Sequence, residues 1–197
     1  MQFILKSDAS RHRSFLVEMD KFHASSLIRS IIILPGTMLV FVPGLILWFS
    51  RGTSFEATWA SPSQIQFWIG LLSLIFGIIL AIWTARLQLT IGEGTPAPWD
   101  PPKKLVIRGP YRYVRNPMIT GVFLILLAES LLFQSWPVAL WMIVFIAANL
   151  IYLPLVEEKD LEKRFGQEYL IYKKAVPRWI PKLKPWVNEP NDQISEE

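Results

Sequence analysis

The stretch GPYRYVRNPMITG, residues 109–121, joins two arginines, two tyrosines and two prolines directly to a long apolar run that begins at Met118. Because the hydrocarbon core of a bilayer is about 30 Å thick, about 20 apolar helical residues are needed to cross it. Four apolar windows approach or reach that length, namely 30–49, 64–85, 117–133 and 136–156. Pro35 and Pro43 predict a kink in the first window. The sequence therefore predicts an all-α integral membrane bundle of about four transmembrane helices.

The composition agrees with a membrane protein. Of 197 residues, 52% are hydrophobic, and nine Trp and twelve Phe make the chain too apolar for an ordinary soluble domain. Cysteine is absent and only two histidines are present, so thiolate sites, a cysteine nucleophile and a bound metal are not expected. The net charge of +4 comes from residues that lie between apolar segments. That distribution indicates membrane topology and not a nucleic-acid partner.

Lysine and arginine predict the orientation of the bundle. They are concentrated in 1–29, 86–116 and 157–197, whereas the connection 50–63 has a single cation and the turn 134–135 has none. Under the positive-inside rule the rich segments face the cytoplasm. We therefore expect a multi-pass protein with both termini cytoplasmic. The two-residue connection also predicts that the last two windows form a tight C-terminal helical hairpin.

We expect the chain to divide into four parts. These are a cytoplasmic N-terminal arm, 1–29; two transmembrane helices, 30–85; a core, 86–186, with a cytoplasmic loop, the hairpin and a C-terminal segment; and a flexible tail, 187–197. Two interpretations of the arm stay open, an interfacial helix and a solvated segment. The GEG at the start of the loop lacks both the Rossmann spacing and the P-loop lysine, which favours a turn over a phosphate site.

Acidic residues at the end of the fourth window call for partners. Glu157 and Glu158 placed at a helix C-terminus would oppose the helix dipole. One interpretation pairs them with Arg112, Arg115 or lysines of the segment that follows the fourth window. In the other interpretation, carboxylates and backbone groups of residues 109–121 and of the segment after the fourth window surround a ligand. That ligand is zwitterionic and carries a further positive charge. Glu129, within the third window, is expected to make a buried hydrogen bond inside the bundle.

The order of motifs from residue 103 to residue 181 resembles a known group of enzymes. LV, GPYRYVRNP, a glycine, a helical hairpin, EE, FG, EY, YKK, VPR and IP follow one another as in the isoprenylcysteine carboxyl methyltransferase and phospholipid methyltransferase superfamily. The resemblance implies methyl transfer from S-adenosyl-L-methionine in a cytoplasmic cofactor pocket. It also implies a hydrophobic or lipid-like acceptor that enters from the lipid bilayer.

The resemblance further implies a set of site residues. The implied cofactor-binding residues are Lys104, Leu105, Val106, Tyr111, Arg115, Asn116, Pro117, Met118, Ile119, Glu157 and Glu158. Candidates for a catalytic role are Arg115, Asn116 and Glu158. The family's signature His and Tyr are replaced by Asn116 and Ile119, which excludes a general base at the His position. Leu153 stands near the position of the arginine of carboxyl methyltransferases, which argues against prenylcysteine as the acceptor.

Two other functions stay open. Membrane reductases that use NADPH share a related helical architecture, although the order Asn116-Pro117 and the lack of an acid after Gly121 argue against one. A non-catalytic membrane protein could also retain the fold. Binding of S-adenosylhomocysteine, of NADPH or of neither separates the three.

The charge distribution generates a topology test. Ser54→Cys should react with an impermeant thiol reagent in intact cells, because 50–63 is expected outside, and Ser195→Cys should react only after permeabilisation. The native chain has no cysteine, so each label reports one position. Labelling of Ser195→Cys in intact cells would contradict the predicted orientation.

Overall fold

The computed structural model describes residues 32–95 and 101–187, and for residues 32–35 it describes the backbone only. These described parts contain helices and no strand. The predicted arm 1–29 and the tail beyond 187 lie outside the described residues. The helices are α1, Val42–Phe49, preceded by a π-helical segment, Ile32–Phe41; α2, Ile65–Thr90; α3, Pro117–Leu132; α4, Trp136–Tyr152; and α5, Glu158–Ala175. The all-α prediction is confirmed for this part of the chain.

Two helical runs are long and apolar enough to cross a membrane. They are Ile65–Thr90 and Trp136–Ala175, and the apolar part of the second ends at Val156. The apolar helices Gly36–Phe49 and Pro117–Leu132 are shorter. On α2, large side chains such as Trp68 and Phe76 remain exposed. An apolar surface of this size is costly in water, so lipid is the matching environment.

The contact between α2 and α3 is the most extensive one between helices. A Cβ atom placed on Gly77 would lie 2.9 Å from the carbonyl oxygen of Gly121, and one placed on Gly121 would lie 3.0 Å from the carbonyl oxygen of Gly77. Ser73 and Thr84 are buried on the same side of α2. Small residues let two helix backbones approach closely, as is common between membrane helices.

Helices α3 and α4 form the hairpin that the short connection predicts. At the turn Gln134 has a left-handed backbone with φ of 44°, and the Ser135 hydroxyl accepts a hydrogen bond from the N–H of Val138 at 3.5 Å. The backbone N–H groups of Thr58 and Ala60 donate to the carbonyls that end α3. The connection between α1 and α2 therefore covers the tip of the hairpin.

Prolines coincide with changes of helix type. The π-helical segment Ile32–Phe41 passes into α1 just before Pro43, and a second π-helical segment, Leu153–Glu157, contains Pro154. Because proline lacks an N–H and its ring clashes with the carbonyl four residues earlier, a wider turn relieves the conflict. The first change stands where the sequence predicts a kink. The second lets the chain continue from α4 into α5 without ending the helix, and α5 itself is kinked at Gly166, whose backbone is non-helical with φ of 55°.

The contact between α2 and α3 yields a prediction on stability. In Gly77→Ala the new methyl group meets backbone and side-chain atoms, which should lower the free energy of unfolding by about 1–3 kcal/mol. Gly44→Ala is the matched control, because a Cβ at Gly44 has nothing within 4 Å. It should be neutral or stabilising by about 0.5–1 kcal/mol. Thermal unfolding in detergent measures both, and equal midpoints would contradict the close contact.

Candidate functional site

The segment that follows α5 folds back onto the segment that precedes α3. The N–H of Arg115 donates to the carbonyl of Pro177 at 2.9 Å, that of Lys182 donates to Tyr113 at 3.0 Å and that of Trp186 donates to Arg112 at 2.9 Å. We call this region, where α2 ends, α3 begins and α4 passes into α5, the polar end of the bundle. Two stretches that are distant in sequence therefore lie side by side there.

A small buried core supports the polar end. Tyr169, Tyr172 and Val176 are buried, with Leu105 and other apolar side chains packed around them. The Tyr172 hydroxyl donates to the carbonyl of Tyr111 at 2.7 Å, and the Gln88 amide donates to the Tyr111 hydroxyl at 2.7 Å. Tyr111 thus ties α2 to α5.

Glu158 is the centre of an ion-pair cluster. Its side chain is 4% exposed, and its carboxylate lies 2.6 Å from Nε of Arg178, 3.0 Å from Nη1 of Arg115 and 3.0 Å from Nζ of Lys173. Burial raises the pKa of Glu158, but hydrogen bonds from Arg178 and Lys173 and the charge of Arg115 lower it, and the net shift is downward. Glu158 is therefore an ionised structural partner of three cations. Arg112 instead donates to the carbonyl of Trp186 at 2.7 Å.

Glu157 has a different environment. Its side chain is exposed, and no described residue forms an ion pair or hydrogen bond with its carboxylate. The expectation that the acidic pair ends a helix is wrong, because the chain continues through the π-helical segment and Glu158 begins α5. Negative charge is favourable in the first turn of a helix, so the dipole does not oppose it. The two adjacent acids thus differ in partners and in burial.

Several buried polar atoms at the polar end have no hydrogen-bond partner among the described residues. They include the donors Nε of Arg115, Nδ2 of Asn116 and Nε1 of Trp179, and the acceptor Oε1 of Gln88. Buried polar groups are hydrogen-bonded in most proteins, since leaving one unpaired costs about 1–3 kcal/mol. Such atoms are suited to contacts with a bound ligand.

The structure distributes the other predicted residues over the same region. Leu105 and Val106 pack in the interior, whereas the exposed Lys104 forms an ion pair with Glu93. Pro117 is fully buried in the first turn of α3. Met118 and Ile119 follow it and are half-buried.

Two further expectations have structural outcomes. No described residue bonds to the Glu129 carboxylate, and its Oε2 is buried without a partner, so the predicted buried hydrogen bond is wrong. In the GEG segment, the carbonyl of Gly92 accepts the N–H of Lys103 at 2.7 Å and of Lys104 at 3.2 Å. This contact closes a turn at the end of α2.

Sequence reasoning assigned no role at the polar end to three residues by name, although one interpretation allowed lysines after the fourth window to pair with the acids. Lys173 and Arg178, which complete the cluster around Glu158, lie in the YKK and VPR motifs, whose basic residues were a usable signal. Trp179 had none, because its ring stacks on Phe123, far away in sequence, with ring centroids 5.4 Å apart.

The contrast between the two acids can be measured with isosteric changes. Glu158→Gln leaves three cations around a neutral group, and breaking such a buried pair should lower the free energy of unfolding by about 3–5 kcal/mol. Glu157→Gln is the matched control and should change it by less than about 0.5 kcal/mol. Thermal unfolding in detergent is the measurement. Equal losses in the two variants would contradict the assignment of the cluster to Glu158.

Comparison with known proteins identifies a family whose model matches this chain. A family model described as phospholipid methyltransferase matches residues 65–168. The match starts at the beginning of α2, includes the hairpin and the acidic pair, and ends within α5. Searches of curated proteins and of solved structures gave no match. Because the family model covers more than half of the 197 residues, the chain belongs to the phospholipid methyltransferase family.

Proposed function

We propose that this protein transfers a methyl group from S-adenosyl-L-methionine to a hydrophobic or lipid-like acceptor at the polar end of the bundle. Membership of the family supports methyl transfer at a membrane. The observation that carries the more specific proposal is the difference between the two acids. Glu158 is neutralised by three cations, whereas Glu157 keeps an exposed carboxylate without an ion pair to the described residues.

The residues at the polar end fit this cofactor. An amino-acid group needs an anion for its ammonium and N–H donors for its carboxylate, and a charge-assisted pair of either kind is strong. Glu157 is the available carboxyl group, and Nε of Arg115 is an available donor. Desolvation and the charges of Glu158 and Asp160 raise the pKa of Glu157 to about 7, and a bound ammonium would favour its ionised form. Asn116 stands beside Arg115 with a second unpaired donor. Glu158 then positions Arg115 through their ion pair and does not itself contact the cofactor.

The remaining predicted residues provide the walls of the proposed site. Backbone groups of Lys104, Leu105 and Val106 are proposed on the adenosine side. The side walls are proposed to be Tyr111, Pro117, Met118 and Ile119. Met118 and Ile119 are half-buried and keep surface that a ligand can cover, whereas Tyr111 and Pro117 are buried and would support this wall from behind. Packed residues hold a ligand in a fixed orientation and keep water out.

The proposed reaction requires mainly orientation of the reactants by the protein. S-adenosyl-L-methionine supplies a methyl group already activated on a sulfonium. The chain has to hold the acceptor in line and exclude water, and orientation of this kind can contribute up to about 7–11 kcal/mol. An amine or alcohol acceptor must also lose a proton, which we propose is released to water at the cytoplasmic face. Glu158 is unsuited to accept it, because its surrounding cations keep its pKa low.

The environment of the acids bears on the class of acceptor. Leu153 is buried at the position where carboxyl methyltransferases are expected to carry an arginine. A prenylcysteine carboxylate would then approach Glu157 without a matching cation from that position. A lipid-like amine or alcohol avoids this repulsion and is the acceptor class that we propose.

The membrane arrangement is part of the proposal. We place the four apolar helices across the bilayer, with the polar end and both termini on the cytoplasmic side, in agreement with the distribution of lysine and arginine. The acceptor then enters from the bilayer and the water-soluble cofactor enters from the cytoplasm. The 16 residues of α3 span about 24 Å, so its ends lie close to the interfaces.

Ligand titration tests the proposal. The purified full chain should bind S-adenosylhomocysteine in a calorimetric titration and should not bind NADPH. Glu157→Gln should weaken that binding by roughly 10- to 100-fold, the loss of a charge-assisted hydrogen bond, with the unfolding midpoint unchanged. Asp160→Asn is the matched control, because it removes a nearby exposed negative charge that pairs only with Arg164 among the described residues.

Each other outcome points to a different function. Binding of NADPH without S-adenosylhomocysteine would favour the reductase, and binding of neither would favour a non-catalytic membrane protein. A Glu157→Gln variant with unchanged affinity would remove Glu157 from the site. An equal effect of Asp160→Asn would show that Glu157 acts only through its negative charge and not by direct contact with the ligand.

A further inference from the structure

We propose that the segment after α5 docks on anionic lipid headgroups at the cytoplasmic face of the membrane. This segment, residues 176–187, is called the returning segment below. Its outward surface combines exposed apolar side chains with lysines that have no ion pair to a described residue. The proposal uses the membrane placement given above and is independent of methyl transfer. Three observations support it: a fixed backbone, the depth of Trp179 and a charge that acids do not balance.

The backbone of the returning segment is fixed, and it holds apolar side chains outward. The N–H groups of Lys182 and Trp186 donate to carbonyls of the stretch before α3, at 3.0 and 2.9 Å. Arg112 in that stretch donates back to the carbonyl of Trp186 at 2.7 Å. Between these contacts Leu183 is 99% exposed, and Ile180 before them is 80% exposed. Large apolar side chains held in this way are costly in water, so the surface requires an apolar environment.

The depth of Trp179 places this surface at the membrane interface. Its ring stacks on that of Phe123, with ring centroids 5.4 Å apart. Phe123 is six residues beyond Pro117, the first residue of α3, and so lies about 9 Å along that helix. Because α3 begins close to the interface in the proposed arrangement, Trp179 lies at the boundary between headgroups and hydrocarbon, where tryptophan is enriched. Ile180, the next residue, then stands at the same level.

The charge beside the exposed apolar side chains is positive. Residues 169–187 contain five cations and no acid. Two of the cations are paired with Glu158. The other three are exposed and form no ion pair with a described residue, namely Lys174, Lys182 and Lys184. Basic clusters beside the cytoplasmic end of a membrane helix attract anionic lipids.

The two properties together select the partner. A water-soluble acidic partner would match the lysines but could not cover apolar side chains that lie at the level of the headgroups. Neutral lipids would cover Ile180 and Leu183 but would leave the lysines without anions. A surface of anionic lipids offers phosphate groups to the lysines and hydrocarbon just beneath them to the apolar side chains.

Docking should couple lipid composition to the stability of the polar end. Arg178, whose Nε lies 2.6 Å from the Glu158 carboxylate, belongs to the returning segment. A lipid that binds the folded segment stabilises the folded chain by mass action. Phosphatidylglycerol added to the full chain in detergent should therefore raise the thermal unfolding midpoint more than phosphatidylcholine does. Equal midpoints with the two lipids would contradict this coupling.

A fluorescent label at position 183 tests the docking directly. The chain has no cysteine, so Leu183→Cys in the full chain can carry one polarity-sensitive label, and this side chain is not needed for packing. The labelled protein is reconstituted in mixed vesicles of phosphatidylcholine and phosphatidylglycerol, with bromine quenchers on the acyl chains of one lipid or of the other. Both lipids should quench the label, and phosphatidylglycerol should quench it more at equal mole fraction.

Charge variants of the labelled chain separate recognition of headgroups from simple burial in the bilayer. Lys174→Gln and Lys184→Gln should each lower the preference for phosphatidylglycerol by about 2- to 5-fold. Salt at about 1 M should abolish the preference, because the screening length falls to about 3 Å. Lys163→Gln is the matched control, since it removes an exposed cation of α5 outside the returning segment, and should leave the preference unchanged.

The other outcomes are distinct. A label that neither lipid quenches would overturn the docking surface, and emission that changes with protein density would assign the surface to a second copy of the chain. Equal quenching by the two lipids, or an equal effect of Lys163→Gln, would overturn the recognition of anionic headgroups. The vesicles contain no cofactor, so each result stands whether or not the chain binds S-adenosylhomocysteine.

Discussion

The polar end depends on the ion pairs that the buried carboxylate of Glu158 forms with three cations. This carboxylate lies within 3.0 Å of nitrogens from Arg115, before α3, from Lys173, late in α5, and from Arg178, in the returning segment. A charge buried this deeply is tolerated only when partners surround it, and each partner comes from a different part of the chain. The ion pairs therefore hold the returning segment against the stretch before α3, which places Asn116 and Trp179 at the same end of the bundle.

Because three cations already neutralise Glu158, its neighbour Glu157 is the acid that we propose for contact with the cofactor. Adjacent residues on a helix point about 100° apart, so Glu157 faces away from the three cations that neutralise Glu158. A carboxyl group without a described ion pair, at the same end of the bundle as donors without described partners, suits a zwitterionic ligand better than an internal salt bridge does. Membership of the phospholipid methyltransferase family and the different environments of the two acids are independent observations. Both support the proposed binding of the cofactor at the polar end.

The helix packing fixes the polar end and leaves apolar surface near it. Gly77 and Gly121 let α2 and α3 approach closely and make them the frame of the bundle. Helix α4 packs on α3 along one side and leaves an apolar groove, lined by Met38 and by side chains from Trp141 to Tyr152, on another. Aromatic contacts lead from Trp141 through Phe145 and Phe123 to Trp179 at the polar end. The entry from the bilayer that we propose for the acceptor agrees with this apolar surface.

The sequence by itself determined the helical class, the apolar windows and the hairpin, because these follow from local hydrophobicity and from a connection too short for another arrangement. Its motif order also identified the superfamily. Only the tertiary structure decided which acid is paired, that the helix continues beyond Val156, that Glu129 lacks a bonded partner among the described residues, and that Trp179 stacks on Phe123. Those outcomes depend on the direction of side chains and on contacts between distant segments. Neither is encoded in a hydropathy pattern, because burial and pairing are settled when the helices pack.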